Sequence, residues 1–372
     1  MRILLYGEYS GFFNCLKYGF QQLGHEVFLV SDGNKYRDYP SDFRYDSHLH
    51  LPTKIQQLYN WVNLYLHRKC LGGYDVAFMI APSLHSSRPF FDRVINDYIL
   101  SHNKQVYVVS TGLYHDTFMF WWNKKDSKYF GYTNDMVIAQ KDPQKYVQHY
   151  YGHGMVEYDR EFMHRVTGII PIWYEYAEPY RDYPNLKKAI CTPIQLDKYE
   201  YKPNIVRDGK VVFFHGLTRP CKGGKYILAA FDRMREKHKD DAEFIAAGGL
   251  PFEEYMKVID RTNVVVDDAN SYSFCMNAFF SMLKGKIVMG GAEPEGNAEL
   301  GYEDVPVVNI CPDVDQICEA IESIIARKDE IEAWGLKSRK FVEKYHDAVD
   351  VAKQYIAQVE KDKAEMENKG RK

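Results

Sequence analysis

The sequence predicts an α/β protein with two doubly wound parallel sheets, and three observations lead to that prediction. The chain has 372 residues, which suits two domains of roughly 150 to 190 residues better than one core. Short apolar strands alternate with helical segments in both halves, which is typical of parallel sheets with helices on both faces. A polar segment with Pro203 and no periodicity separates the halves. We therefore expect a first domain at 1–195, a linker at 196–208 and a second domain at 209–345.

The first half opens with a βαβ unit. Ile3–Tyr6 is an apolar strand, and the helical segment Asn14–Leu23 ends at Gly24, which tolerates the left-handed conformation of a helix stop. Glu26–Val30 is the next strand. The later predictions for this half are strands at Val76–Ile80, Gln105–Ser110 and Ala189–Ile194, a helix at Arg88–Leu100, and an irregular aromatic stretch at Asp116–Glu161.

The second half repeats the pattern. Val211–His215 is a strand, a glycine-rich loop follows, and a helix begins at Lys225. The remaining predictions are strands at Glu243–Ala247, Val264–Val266 and Lys286–Met289, and helices at Met276–Leu283, Val314–Arg327 and Ile331–Tyr345. The Lys- and Glu-rich end, Lys361–Lys372, is expected to be frayed.

Composition and charge argue against several functions. The chain carries 48 basic and 51 acidic residues and a net charge of −3, so no global field attracts nucleic acid. Its seven Cys contain no C-x-x-C pair, which fits a reducing compartment rather than a disulfide framework or a zinc site. No uncharged apolar stretch reaches the length of a membrane span, and the first apolar run is too short for a signal peptide. We expect a cytoplasmic protein.

The loop from His215 to Lys225 is the first candidate binding site. It lies between a strand and a helix, and it combines Gly216, Arg219 and Lys222 with a helix N-terminus, which suits a diphosphate. The alternative is a solvated turn with ordinary surface cations. The loop is not a Walker loop, because Arg219 stands where the first glycine would fall. Two doubly wound domains can face each other across a cleft that holds a nucleotide and a second substrate.

The first half contains two further candidates. Gly11 closes the loop after the first strand and allows close approach of a ligand, although the spacing is not that of a dinucleotide-binding loop. His115 and Asp116 follow a strand, where a histidine can bind a sugar hydroxyl or move a proton. The alternatives are a glycine needed only for the turn and a polar surface histidine. His149 and His153 share a helical face without a compact ligand signature, so we expect no metal.

Polar loops in the second half complete the candidates. Asn277 lies where a loop of small polar residues enters a helix, whose first amides suit an anion. Glu293 and Glu295 follow the next strand and a pair of glycines, where carboxylates suit ribose or sugar hydroxyls. An exposed acidic turn is the alternative reading of these glutamates.

These segments together resemble the GT-B glycosyltransferases, whose fold is two Rossmann-like domains facing a cleft. Within them they resemble the retaining family four of bacterial capsule and exopolysaccharide synthesis. The run Leu23-Gly24-His25-Glu26-Val27 resembles the family's N-terminal turn, and His215–Lys225 resembles its donor-phosphate loop. Ala278–Val288, followed by Gly290-Gly291 and Glu295, resembles its helix, G-K-x-V strand and G-G-x-x-E loop. The resemblance covers most of the chain.

The resemblance implies transfer of a sugar from a nucleotide-diphosphate sugar to a glycan or lipid-linked acceptor, with retention and without a bound cofactor. It implies that Arg219 and Lys222 hold the diphosphate and that His115 binds the sugar and supports the transition state. It also implies a C-terminal helix at 346–372 that crosses back onto the first domain. The implied donor-binding residues are Gly11, Gly216, Asn277, Glu293 and Glu295.

One departure from the family pattern leaves other hypotheses open. The family's two glutamates, eight residues apart, fall on Tyr272 and Phe280, so Asn277 is expected to replace part of their contacts. A nucleotide-sugar binding protein without activity and a nucleotide-sugar epimerase of the same fold are the alternatives. Because acceptors of such enzymes are often lipid-linked, the protein is expected to work at the inner face of a membrane. Only the aromatic segment Phe118–Trp122 suggests contact with a bilayer.

Overall fold

The computed structural model describes residues 1–33, 38–47, 52–84, 88–217, 219–249 and 252–370. The chain divides into two compact units. The first unit comprises Met1–Phe120, Gln144–Gln195 and His346–Lys372, and the second comprises Trp121–Pro143 and Leu196–Tyr345. The sequence-based boundaries assigned 121–143 to the first domain, whereas its contacts place this segment in the second unit.

The described part of the first unit contains a parallel sheet in the order β3-β2-β1-β4-β5-β6. Strands β4 to β6 are buried along their whole length, which is why they appear in the sequence as apolar runs without alternation. The strand order reverses between β1 and β4. The strands are β1 (Arg2–Tyr6), β2 (Glu26–Ser31), β3 (Phe43–Arg44), β4 (Val76–Met79), β5 (Gln105–Ser110) and β6 (Gly168–Pro171).

Helices cover this sheet and also occupy the aromatic stretch for which the sequence showed no clear pattern. That stretch forms α4 to α7. Phe118, Trp121 and Tyr158 are buried, whereas α6 has no buried residue, so no single apolar face runs through the stretch. The helices of this half of the chain are α1 (Phe12–Gln22), α2 (Thr53–Leu66), α3 (Pro89–His102), α4 (His115–Asn123), α5 (Phe130–Ile138), α6 (Pro143–Tyr151), α7 (Met155–Arg165) and α8 (Tyr174–Ala177), of which α5 belongs to the second unit.

The predicted strand at Ala189–Ile194 is wrong. Ile190 donates one backbone hydrogen bond to Pro171, and Ile194 forms only an isolated bridge with Asp347. Pro193 has no N–H group and cannot donate to a ladder. The segment is therefore extended but adds no strand to the sheet.

The second unit contains a parallel sheet in the order β11-β10-β9-β7-β8, which reverses between β7 and β9. Phe213, Phe231, Ile287 and Ile321 lie in its buried core. The strands are β7 (Val211–Gly216), β8 (Ala242–Ala247), β9 (Val264–Val266), β10 (Ile287–Gly290) and β11 (Val308–Asn309). The helices that follow are α9 (Gly224–Lys237), α10 (Phe252–Arg261), α11 (Met276–Leu283), α12 (Pro294–Leu300), α13 (Val314–Ala326) and α14 (Ile331–His346).

The segment 196–208, expected as a linker, packs onto the second unit. Asn204 is buried and exchanges side-chain hydrogen bonds with Asn263, whose Nδ2 lies 2.9 Å from Asn204 Oδ1. A short 3-10 helix at Leu196–Lys198 precedes it. The sequence pattern missed this packing because the contact joins residues 59 positions apart.

The last helix, α15 (Ala348–Gly370), packs within the first unit. The ring of Tyr355 lies 5.3 Å from that of Phe78, and Asp362 accepts hydrogen bonds from Tyr107 at 2.8 Å and Lys187 at 2.7 Å. These buried contacts hold α15 as far as Asp362, and the helix continues to Gly370 through positions 363–368, which are exposed, where the composition predicted a frayed end. Among the described helices, none has both the length and the apolarity to cross a membrane.

Candidate functional site

Both sheets place candidate residues at the carboxyl edge where the strand order reverses. Doubly wound sheets bind ligands in the crevice at that point. In the second sheet, the loops after β7 and β9 meet there and contain Gly216–Gly223 and Asp267–Cys275. In the first sheet, the loop with Gly11 follows β1 at the corresponding point.

The loop between β7 and α9 presents a helix N-terminus. Gly216 ends β7, a 3-10 turn covers Pro220–Lys222, and Gly223 precedes α9 with a φ of +70°, which glycine adopts without strain. No described side chain caps α9. The first amides of the helix and the positive end of its dipole are therefore placed to bind an anion. Thr218 of this loop lies outside the described residues.

His215 joins the two strands at the reversal as a neutral imidazole. Its Nδ1 donates to the carbonyl oxygen of Val266 at 2.8 Å, and burial lowers the pKa of the ring. Its Nε2 lies beside the start of α9, because a β-carbon built on Gly224 would stand 3.2 Å from it. The histidine thus holds β7 against β9 and offers a hydrogen-bond acceptor at the helix N-terminus.

Lys222, Asp267 and Asn277 form one polar cluster. Lys222 Nζ lies 2.6 Å from Asp267 Oδ1, and Asn277 Nδ2 donates to the same oxygen at 3.3 Å. Burial by itself lowers the pKa of Lys222, but the charges of Asp267 and Asp268 raise it above its ordinary value, so the lysine is protonated. Two predicted residues therefore meet on a carboxylate to which the sequence analysis gave no role.

An open cavity of about 520 Å³ adjoins this loop, which is within the size range of small-ligand sites. His215, Arg219 and the first residues of α9, Gly224 and Lys225, line it. Arg219 is exposed there and makes no ion pair with any described residue. Its guanidinium N–H groups are available to donate to the oxygens of a phosphate group.

Helix α5 forms another wall of the same cavity. Asp135 on α5 lies 3.1 Å from Lys225 Nζ, and Ile138 lines the cavity beside it. Gly131 lies directly on Asn270, since a β-carbon at Gly131 would come within 2.9 Å of the asparagine side chain. The segment 121–143 thus covers the loops after β7 and β9, a placement that no sequence pattern indicated.

Glu293 is held by three donors, whereas Glu295 is not part of the same group. Oε1 of Glu293 accepts from Lys128 Nζ at 2.5 Å, Tyr129 OH at 2.6 Å and Asn309 Nδ2 at 2.9 Å. Burial alone raises the pKa of Glu293, but these three donors outweigh burial and lower it, so the carboxylate is ionised. Glu295 lies exposed in the first turn of α12.

His115 begins α4 in the first unit and is oriented by a buried carboxylate. Its Nδ1 lies 3.3 Å from Asp159 Oδ2 and 3.1 Å from Ser83 Oγ, and its backbone N–H donates to Asp159 Oδ2 at 3.0 Å. These contacts leave Nε2 without a hydrogen bond to any described residue, on a side chain that is 12% exposed. An imidazole fixed through Nδ1 presents Nε2 to a substrate.

Asp116 is buried next to that pair. Its Oδ1 accepts from the backbone N–H of Thr117 at 2.7 Å and from Tyr180 OH at 3.1 Å. Burial, followed by the charge of Asp159, raises the pKa of the Asp116 carboxyl to about 7. The first unit therefore holds a histidine and two buried carboxyls in one cluster.

The stability of the protein is expected to depend on Asp116 between about pH 4 and 7. Because its pKa is raised in the folded state, its contribution is fully present at low pH and is lost as the pH rises through the folded value near 7. Asp116→Asn keeps the Oδ1 acceptor and removes the titration. We expect the difference in free energy of unfolding between variant and wild type to grow by roughly 2 to 4 kcal/mol from pH 4 to 7.

Urea unfolding at several pH values measures this difference. Asp304→Asn, at an exposed turn position, is the matched control and should follow the wild-type curve. Parallel curves for Asp116→Asn and wild type would mean that Asp116 titrates normally in the folded state.

Gly11 precedes α1 with a φ of +82°, and the ring of Tyr39 covers it at 3.0 Å from the position of an added β-carbon. Glu8 of the same loop is buried. Its Oε2 accepts hydrogen bonds from the backbone N–H of Asn14 at 2.9 Å and from Asn14 Nδ2 at 2.7 Å. Burial raises the pKa of Glu8. The loop is thus tied to α1, and a side chain at position 11 would strain it.

The predicted residues divide between the two units. Gly11 and His115 lie in the first unit, and the other candidates lie in the second. Sequence reasoning missed Asp159, Lys128 and Tyr129. For Asp159 a signal existed, because it stands among the buried apolar positions of α7, where an acidic residue needs a reason.

No protein-family model and no curated protein matches the chain. Solved structures match it along nearly its whole length. Sucrose-phosphate synthase from Thermosynechococcus elongatus is 14% identical with a TM-score of 0.62, over 97% of this chain and 98% of that one. HepE from Anabaena, in complex with UDP and glucose, is 12% identical with a TM-score of 0.58, over 97% and 100%.

An enzyme of a different class also matches. UDP-GlcNAc 2-epimerase from Neisseria meningitidis, bound to UDP-GlcNAc, is 9% identical with a TM-score of 0.54, over 97% of this chain and 100% of that one. At such low sequence identity, these structural matches show only that the fold is shared. The chain has the GT-B fold, with two Rossmann-like parallel-sheet domains.

Proposed function

We propose that this chain is a glycosyltransferase that takes a sugar from a nucleotide-diphosphate donor and passes it to a glycan or lipid-linked acceptor. The observation that carries the proposal is the cavity at the reversal of the second sheet. An uncapped helix N-terminus and the exposed Arg219 meet there. That combination suits a diphosphate. Solved structures of similar fold contain UDP or UDP-sugars, so UDP-sugars are the first donors to test.

Each residue has a proposed part in this reaction. Arg219, Lys222 and the first amides of α9 stabilise the charge of the departing diphosphate. Gly216 lets the donor approach β7 closely, and Asn277 and Glu293 contact its sugars. His115 presents Nε2 to the transferred sugar. Gly11 and Glu295 contact the donor, which is the role that the family resemblance implies for them.

The resemblance to glycosyltransferase family four supports three finer proposals. These are transfer with retention, a role in surface polysaccharide synthesis, and work at the cytoplasmic face of a membrane. The donor is consumed as a substrate, and the proposed chemistry assigns no bound cofactor. Because the family's two glutamates are replaced by Tyr272 and Phe280, the sugar contacts of this chain fall to other residues.

A thermal-shift panel tests the donor site. UDP, GDP and ADP and their common sugars are compared on wild type and Arg219→Ala, since a ligand that binds only the folded state raises the melting temperature. We expect a shift with one base, which is smaller in the variant at the same ligand concentration. If no nucleotide or nucleotide sugar raises the melting temperature of the wild type, the proposal is wrong. Binding without turnover on any acceptor would instead favour a nucleotide-sugar binding protein.

A nucleotide-sugar epimerase is the second candidate, and the cluster of His115, Asp116 and Asp159 favours it. A carboxyl with a pKa near 7 beside an oriented histidine suits removal and return of a proton on a sugar carbon. An epimerase converts its donor without an acceptor. Incubation of UDP-GlcNAc in deuterated water distinguishes the two, because only the epimerase incorporates deuterium into the recovered sugar nucleotide.

A further inference from the structure

Helix α2 carries an exposed apolar stripe. Ile55 is 55% exposed, Leu58 is 55% exposed and Leu66 is 68% exposed, and Val62 lies between them on the same face. These positions recur at helical spacing, so they form one continuous strip along the helix. Phe90, at the start of the neighbouring α3, is 64% exposed beside it.

The stripe stands out from the rest of the described surface. Six of the fourteen large apolar residues that are strongly exposed in the described chain lie on this one helix of 14 residues. Single exposed apolar residues are normal, but a continuous group marks a surface that binds something. The bilayer contact suggested by Phe118–Trp122 does not hold, because Phe118 is buried under Tyr150 and Trp121 is buried next to Tyr272.

The segment that carries the stripe is positively charged. No Asp or Glu occurs between Asp46 and Asp75, although acidic residues make up 51 of 372 in the chain. Lys54 at the start of α2 and Lys69 just after it are exposed, and the Arg68 guanidinium lies 4.2 Å from the centre of the Tyr65 ring. Cations thus flank both ends of the apolar strip.

Aromatic residues border the apolar strip along α2. The Trp61 ring stacks on Tyr65 at 5.2 Å, and its Nε1 donates to the carbonyl oxygen of Phe91 at 3.0 Å. Tyr59 and Tyr65 are exposed. Trp and Tyr side chains with an apolar body and a polar end favour the headgroup region of a bilayer.

We propose that α2 and Phe90 form a membrane-docking surface that lies in the headgroup region of a bilayer containing anionic lipid. The helix is about 21 Å long at 1.5 Å per residue, which suits lying in the interface rather than crossing it. A second copy of the chain fits less well, because a two-fold contact along α2 sets its cations against each other with no acidic residue on the helix to pair them. The proposal rests on the proposed work at a membrane face, but its test is separate, since lipid binding is measured without a nucleotide.

Vesicle sedimentation with the full chain tests this surface. Phosphatidylcholine vesicles are compared with vesicles that contain about one third phosphatidylglycerol, at low and high salt. We expect binding to the anionic vesicles, weakened by salt. Ile55→Gln with Leu58→Gln and Leu66→Gln should lower the partition coefficient at least tenfold. Arg68→Gln with Lys69→Gln should lower it on anionic vesicles by about fivefold per cation.

The control variant is Ile205→Gln with Leu336→Gln, which changes exposed apolar residues outside the stripe and should bind like wild type. Thermal melting checks that all variants are folded, which is expected because the changed side chains are exposed apart from the half-buried Arg68. Equal binding by wild type and the triple variant would overturn the proposal. A light-scattering result in which the triple variant turns a dimer into a monomer, with no vesicle binding, would assign the stripe to a second copy instead.

Discussion

Replacing Lys222 by alanine is expected to abolish donor binding and to lower the free energy of unfolding by about 3 to 5 kcal/mol. The stability loss arises because Lys222 Nζ lies 2.6 Å from Asp267 Oδ1, and Asp267 is only 3% exposed. Without the lysine, a buried carboxylate has lost its cation, and Asp268 lies buried next to it. The loss of donor binding follows because Lys222 is one of the two cations that we propose hold the diphosphate.

Two variants separate these effects. Lys222→Met with Asp267→Asn removes both charges, so it should recover most of the stability in urea unfolding while nucleotide binding in calorimetry stays lost. Arg219→Ala removes an exposed cation, so it should leave stability unchanged and weaken nucleotide binding by about 10- to 100-fold. Arg261→Ala, which breaks an exposed pair with Glu243, is the control with neither effect expected. Unchanged nucleotide affinity in Arg219→Ala would argue against the loop as the diphosphate site.

His115→Ala is expected to lower kcat about 100-fold and to leave the affinity for the nucleoside diphosphate unchanged. The reason is that Nε2 is the one ring nitrogen of His115 with no hydrogen bond to the described chain, while Nδ1 is held by Asp159 and Ser83. Steady-state kinetics and calorimetry with the nucleoside diphosphate measure the two quantities. His164→Ala, an exposed histidine of the same unit that stacks on Tyr183, should retain wild-type kinetics.

Asp159 acts in this prediction as a positioning residue. Asp159→Asn should lower kcat about tenfold with KM unchanged, because the imidazole loses its orienting carboxylate. Combined with His115→Ala it should cost nothing more, since the two residues act through one nitrogen. Additive losses in the double variant would show that Asp159 acts independently of the imidazole. A kcat within twofold of wild type in His115→Ala would show that the imidazole takes no part in turnover.

Much of the architecture could be predicted from short stretches of the sequence. The alternation of strands and helices around Ile3–Tyr6 and Val211–His215 indicated both parallel sheets, and the glycine-rich loop followed by a helical pattern from Lys225 placed the start of α9 within one residue. These features are determined within about a turn or a strand of the residue concerned, because backbone conformation and apolar periodicity are local. The prediction of a strand at Ala189–Ile194 was wrong because it used the same local information. Its apolar pattern was local, but a strand also needs a neighbour that pairs with it.

The composition of the candidate site depended on distant parts of the chain. Lys128 and Tyr129 reach Glu293 across about 165 positions, and Asp135 reaches Lys225 across 90. Asp159 reaches His115 across 44. Hydrogen bonds and ion pairs of this kind depend on how elements pack, and no period or motif in either segment encodes the partner.

The sequence by itself determined that the chain is α/β and that it has two parallel-sheet domains, and it predicts a diphosphate-binding role for the loop within His215–Lys225. Only the tertiary structure decided that 121–143 belongs to the second unit and that Lys222 and Asn277 share Asp267. It also decided that the apolar face of α2 stays uncovered. The physical reason is that a periodic pattern specifies which face of an element is apolar, whereas burial depends on whether another element packs against that face.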